Sequence, residues 1–301
     1  MTSMALDFAT VAYALWDLEM SAIGDFKWQG LSAHQQRFNQ WRDSRPQAMR
    51  ALGDPAKVMP FGEYWKTQNL AAVASPFSDE LNRFLQLEGE KPQFKPFQGL
   101  GLASTFNASM QWLEEGVQTY FSRPAANQRT MADFSAFHLG RRAVKIYRLE
   151  GYGSLVARLK ATSGDSLWLT MADEPQSSFE LAITAQELLN AKRTDVSSQW
   201  AGMLAPMVSL KIHSDLSWLI GMEPTEAGFR LEQAFQRFSF QMSEQGEPAR
   251  QAIKGSVNYS LASLRFEQPF IGWTTLANCD DTAFGAFFAD IDSWEPLGFD
   301  I

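Results

Sequence analysis

The stretch "SGDSLW" sets Gly164, Asp165, Ser166 and Leu167 in an order that can present a nucleophilic serine. Such a serine needs a histidine base, itself oriented by a carboxylate. The last histidine, His213, has no Asp three residues before it. The flanks "LVARLKATS" and "LWLTMAD" alternate like two strands of a hairpin, for which Ser-Gly-Asp is ordinary turn chemistry. A turn is the expected role, and a hydrolase using Ser166 is a distant alternative. His34, His138 and His213 lie far apart with no metal-ligand spacing between any two. No helix of the required length follows "GLGLAS" at Gly99, so it is a poor nucleotide fingerprint. Asp280 and Asp281 fit a hairpin turn, Asp290 and Asp292 flank a strand end, and neither pair has the loop spacing of a calcium site. Neither an enzyme nor a bound metal or cofactor is expected.

The elements that would position these residues belong to a globular chain. Its 301 residues are 45 % hydrophobic, with 23 Phe and 10 Trp, enough for a sizeable core. With 26 Lys and Arg against 34 Asp and Glu, the net charge is −8, and no basic cluster offers itself to a phosphate backbone or an anionic membrane. The single cysteine, Cys279, has no internal disulfide partner. The N-terminal "MTSMALDFATVAYALWDLEM" lacks the basic start and unbroken apolar core of a signal peptide, which makes the cytoplasm the expected location.

The first third reads as helical, from Leu6 to Met20 and again through "SAHQQRFNQWRDSRPQAMRAL", until Pro55, Pro60 and Gly62 end it. "TQNLAAVAS" reads as a strand and "FSDELNRFLQLEG" as a helix capped by Ser78 and stopped at Gly89, with a short strand at "PQFKPF". From Gly99 onward strands dominate, at "LGLASTFNASMQWL", "AVKIYRLEG", "SLVARLKA", "SLWLTMAD", "PMVSLKIH", "PFIGWTTLA" and "AFGAFFADI". One helix, "TAQELLNAKR", interrupts them, with Thr184 and Glu187 at the spacing of a capping box. A short helical piece, "SDLSWLIG", follows later. Helices first and antiparallel-looking strands afterwards indicate an α+β protein, read as one domain over 1–301.

One stretch fits none of these elements. In "FQMSEQGEPARQA", the alternation of Phe238, Phe240 and Met242 with Ser239, Gln241 and Ser243 marks a half-buried strand, and the next equally apolar run begins only near Leu264. A connection longer than about 12 to 15 residues is usually functional or disordered.

"FSFQMSEQG", this long loop, and then "LRFEQPFIGWTTLANCDDTAFGAFFADIDSW" together resemble the C-terminal region of the serpins. Phe266 and Pro269-Phe270 match the family's Phe-x-x-x-Pro-Phe strand, and Ala283-Phe284 matches the start of its final strand. Further back, "SLVARLKATSGDSLWLTMADE" is similar to the family hairpin, "ITAQELLNAKRTDVSSQW" to a helix ending in Trp, and "VSLKIHSDLSWLIGMEPT" to a strand and short helix closing on Gly221-Met222. "LASTFNASMQW" resembles the third strand of the large sheet with its Trp112, and "NLAAVASPFSDELNRFLQLEG" a sheet strand with its helix. The order is the family's over Asn69 to Ile301. The 1–62 part diverges: "ALDFATVAYALW" resembles a first helix, but the Phe-Ser-Pro signature does not follow. The resemblance implies N-terminal helices packed on a large mixed sheet with smaller antiparallel sheets. The helix that crosses the large sheet is expected to be missing, because there is no room for it between Phe97 and Gly99.

The resemblance also implies that 244–266 corresponds to a reactive loop, with a hinge at Glu244, Gly246, Glu247, Pro248 and Ala249 and a protein partner such as a protease. In an inhibitory serpin the cleaved loop inserts into the large sheet, which requires small or apolar side chains at alternate positions and a backbone donor at nearly every step. Counted from Gly246, the inward positions are Glu247, Ala249, Gln251 and Ile253. Glu247 would bury a carboxylate, and Pro248 removes a ladder hydrogen bond. A non-inhibitory, protein-binding serpin-like chain is therefore expected. The alternative is a serine or cysteine protease inhibitor, for which the family distance from Gly246 places cleavage near Ser260-Leu261, with Tyr259 or Leu261 attractive to a chymotrypsin-like protease.

Overall fold

The computed structural model describes residues 3–20, 27–52, 65–66, 70–124, 131–225, 228–245 and 262–297. These group into two compact units, one formed by 1–4, 108–210 and 240–301, the other by 5–107 and 211–239.

The second unit is built on a five-stranded sheet in the order Val208–Ser214, Leu231–Met242, Leu100–Ser109, Leu70–Ser75, Trp65–Lys66. The ends of the longer strands, beyond Asn107 and Ser239 and before Lys211, belong to the first unit. Alternation decides which side each residue serves. Ala72 stands opposite Ser104 and Val73 opposite Ala103. Towards one face point Ser104 and the buried Gln236, whose amide nitrogen shares its two N–H donors among Ser104 Oγ at 3.0 Å, Thr10 Oγ1 at 3.1 Å and the Asp7 carbonyl at 2.9 Å. Gln236 Oε1 accepts from the Asp7 backbone at 2.9 Å, so the amide ties the start of helix Phe8–Met20 to the sheet with both of its N–H donors used. Asp7 in turn caps that helix by accepting from the Ala9 and Thr10 backbones.

On the other face lies helix Ser78–Leu87, whose Leu81, Phe84 and Leu85 pack with Ala71, Val73 and Ala103. Its C-terminal stop is Gly89, with φ 78°, a left-handed conformation costly for residues with a Cβ. Residues 88–99 form no helix, as the short spacing before Gly99 implied. The sheet face is not bare, however, because Ser78–Leu87 covers it. "PQFKPF" is not a strand. Pro92 and Pro96 offer no backbone donor, and Phe94 is instead buried against the helix cluster.

In the first unit the main antiparallel sheet runs Cys279–Ala289, Phe270–Leu276, Ser166–Met171, Leu155–Lys160, Val144–Leu149, Arg193–Asp195. Helix Ser178–Asn190 packs on its Cys279–Ala289 and Phe270–Leu276 strands. That helix begins earlier than its sequence spacing implied: Ser177 is the N-cap, accepting from the Glu180 backbone, and Thr184 is interior. Ser-Ser-Phe-Glu, starting at Ser177, supplies a capping signal seven residues upstream of Thr184. Gly272 sits where any Cβ would collide with the Phe287 ring, so the close approach of these strands requires glycine there. A second sheet runs Leu264–Arg265, Gly202–Pro206, Met131–Gly140, Val117–Pro124. Neither of its last two strands was evident in the sequence.

Candidate functional site

The described chain breaks off at Gln245 and resumes at Ala262. Of the expected site residues, Glu244 is described, whereas Gly246, Glu247, Pro248, Ala249, Tyr259, Ser260 and Leu261 lie outside the described residues. The candidate site is therefore the pair of anchors on either side.

On the departing side, strand Leu231–Met242 ends and Ser243, Glu244 and Gln245 run along a turn that contains Trp112 and Gly116. The fully buried Trp112 stacks on Phe137, with centroids 6.3 Å apart and planes at 11°. Its indole Nε1 donates to the Ser243 carbonyl at 2.6 Å, and its backbone N–H donates to the Gln245 carbonyl at 3.0 Å. The Gly116 N–H donates to the Glu244 carbonyl at 2.8 Å, and the Gln118 amide donates to the Glu244 carboxylate at 2.5 Å. A Cβ on Gly116 would lie 3.3 Å from Glu244 Cα, so the glycine permits the close approach. Trp112 is not part of the third strand as its sequence context implied: that strand ends at Ser109, and Trp112 forms an isolated bridge to Ala161.

On the returning side, the Ala262 carbonyl accepts from the Ala201 N–H at 3.0 Å. Leu264 and Arg265 pair in parallel with Met203 and Leu204, and the Phe266 N–H donates to the Leu204 carbonyl at 2.9 Å. Phe266 is fully buried and meets Phe270 edge-on at 5.7 Å. His138 Nε2 and Ser263 Oγ are hydrogen-bonded at 2.9 Å. Burial pushes the His138 imidazole below its ordinary value. Sequence spacing gave no sign of this contact, since 125 residues separate the partners.

The nucleophile motif resolves into a turn. Gly164 has φ 90°, Asp165 accepts from Ser163 Oγ and from the Ala277 N–H, and Ser166 opens strand Ser166–Met171. Ser166 is buried and its Oγ accepts from Arg158 Nε at 3.0 Å, a cationic donor unable to act as a base. His138 is engaged at Ser263, and His213 lies 3.7 Å from Glu90 in the other unit. Among the described residues no group of His, Cys, Asp and Glu is arranged to hold a metal ion.

No protein-family model and no curated protein matches the sequence. Solved structures do match its fold. Serpin48 of the insect Tenebrio molitor, described as a highly specific serpin, aligns with TM-score 0.55 at 10 % identity, over 96 % of this chain and 92 % of that one. Mouse protein-Z dependent protease inhibitor gives 0.56 at 9 %, over 96 % and 91 %. Human thyroxine-binding globulin, in complex with its hormone, gives 0.54 at 11 %, over 95 % and 91 %. With its sheets, its helices and its C-terminal strands laid out along nearly the whole length of these proteins, the chain has the serpin fold.

Proposed function

We propose that this serpin-like chain acts by binding a protein through its 244–266 segment and does not trap proteases by inserting that segment into the five-stranded sheet. The observation that carries the reading is the conjunction of an anchored Ser243–Gln245 with the Glu247-Pro248 pair that follows it in sequence. Strands Leu100–Ser109 and Leu231–Met242 are direct neighbours, so an inserted strand would have to break their ladder. It would also have to release the bonds from Trp112, Gly116 and Gln118, each worth about 0.5–1.5 kcal/mol net. What would enter first is a carboxylate at Glu247, costing several kcal/mol if buried unpaired, beside a proline that cannot donate. The partner class is a protein, in keeping with the protease inhibitor among the fold's solved examples.

Incubation with chymotrypsin-like and subtilisin-like proteases, followed by a denaturing gel, tests the reading. Nicking near Ser260-Leu261 without a covalent product is expected. A protease complex that survives denaturation would overturn it. Thermal melting of the nicked chain is the companion measurement: a sharp rise in midpoint would mean that the cleaved segment inserts.

A further inference from the structure

We propose that the face of the main antiparallel sheet around Trp168 binds a ligand bearing phosphate or sulfate groups, through the guanidinium groups of Arg158 and Arg193. Both belong to the first unit. Trp168 is buried and oriented by its indole N–H, which donates to Thr275 Oγ1 at 3.1 Å. The Arg158 guanidinium carbon lies 4.9 Å from the Trp168 ring centroid and that of Arg193 lies 4.7 Å from it. Arg193 also sits over the Tyr147 ring at 5.7 Å. Two cations are thus gathered at one aromatic side chain, each attracted by the ring's electron-rich face.

Neither guanidinium forms an ion pair with a carboxylate among the described residues, although the chain as a whole carries more acidic than basic groups. Arg158 donates from Nε to Ser166 Oγ at 3.0 Å, and Arg193 donates from Nη1 to the Leu189 carbonyl at 3.3 Å. A guanidinium has five N–H donors, so each retains donors that can chelate an oxyanion. The rim adds charge of the same sign. Lys145 stands directly opposite Arg158 in register, and Lys160, two positions along the strand from Arg158, points to the same face. Asp195, a carboxylate on this face, accepts from the Ser197 N–H at 2.8 Å and lies 3.8 Å from Lys145. Without a bound anion these like charges repel one another. A phosphate or sulfate oxygen removes that repulsion and satisfies the spare donors.

Titration calorimetry on the full chain would use two probes, inorganic phosphate and a sulfated oligosaccharide. Binding of phosphate assigns a small free anion, whereas binding of the oligosaccharide alone assigns a sulfated polymer. For whichever probe binds, Arg158→Ala and Arg193→Ala should each weaken affinity about tenfold or more, and Arg158→Lys should not restore it, because an ammonium lacks the planar fork. Arg193 is exposed, so its variant is expected to disturb the fold less and carries the test even if Arg158→Ala melts early. Failure of both probes to bind at millimolar concentration, or wild-type affinity in the Arg193→Ala variant, would overturn the proposal.

Discussion

Where residues 243–245 lead out of the described fold, they are held by separate hydrogen bonds, most of them from a single turn around Trp112; where the chain resumes at Ala262, it joins a sheet and within a few residues buries Phe266. The first attachment is local and polar, and its bonds can be lost one at a time. The second is cooperative, because the parallel pairing with Met203 and Leu204 and the apolar burial of Phe266 stand or fall together. The departing end is therefore expected to loosen at a smaller cost than the returning end.

Phe266→Ala offers the largest way to break this contrast. Removing a fully buried phenyl ring should cost about 3–5 kcal/mol, read as a lower midpoint in thermal or denaturant unfolding. A loss below about 1 kcal/mol would mean that the return is no more embedded than the departure. Trp112→Phe keeps an aromatic ring against Phe137 but deletes the donor to Ser243, for an expected loss of about 1–3 kcal/mol. Hydrogen exchange should then quicken at the Trp112 and Gly116 amides while the Ala201 and Phe266 amides keep their protection. Equal quickening at both ends would erase the distinction. Ser263→Ala removes the hydrogen bond to His138 and should cost about 0.5–1.5 kcal/mol, with the Phe266 amide unchanged because the sheet remains.

The last prediction is a control at a titrating group that belongs to neither anchor. Burial raises the Asp17 carboxyl from 3.8 to about 6. Below pH 3.8 folded and unfolded chains are both protonated there. Between 3.8 and about 6 the unfolded chain releases the proton first, so stability falls as pH rises, and above about 6 the loss is constant. Asp17→Asn should therefore raise the melting midpoint near neutral pH and leave it unchanged below pH 3.8, with exchange at both anchors unaltered. A pH-independent effect would show that Asp17 acts through packing instead.

Much of the fold was legible because its signals are short. The hairpin at Ser163–Asp165 was visible in alternation and turn residues, and Gly89 marked a helix end. The matches at Phe266, Pro269-Phe270 and Ala283-Phe284 pointed to the return and the final strands, which the structure places in its sheets. Val117–Pro124 and Met131–Gly140 were missed because "VQTYFSRP" and "MADFSAFHLG" mix polar and apolar residues without a clean period of two; their pairing with each other supplies the order that neither segment signals alone. The Thr184 cap was a real local pattern overruled by an earlier one at Ser177.

The sequence by itself determined the alternation of the strands, the turns between them, the order of elements, and the Glu247-Pro248 pair that opposes insertion, since each is a property of neighbouring residues. Tertiary structure alone decided which distant groups meet. Trp112 reaches Ser243 across 131 positions, His138 reaches Ser263 across 125, and Gln236 reaches Asp7 across 229. No periodicity extends over such separations, so the anchors of the departing and returning chain become visible only once the sheets have brought their residues together.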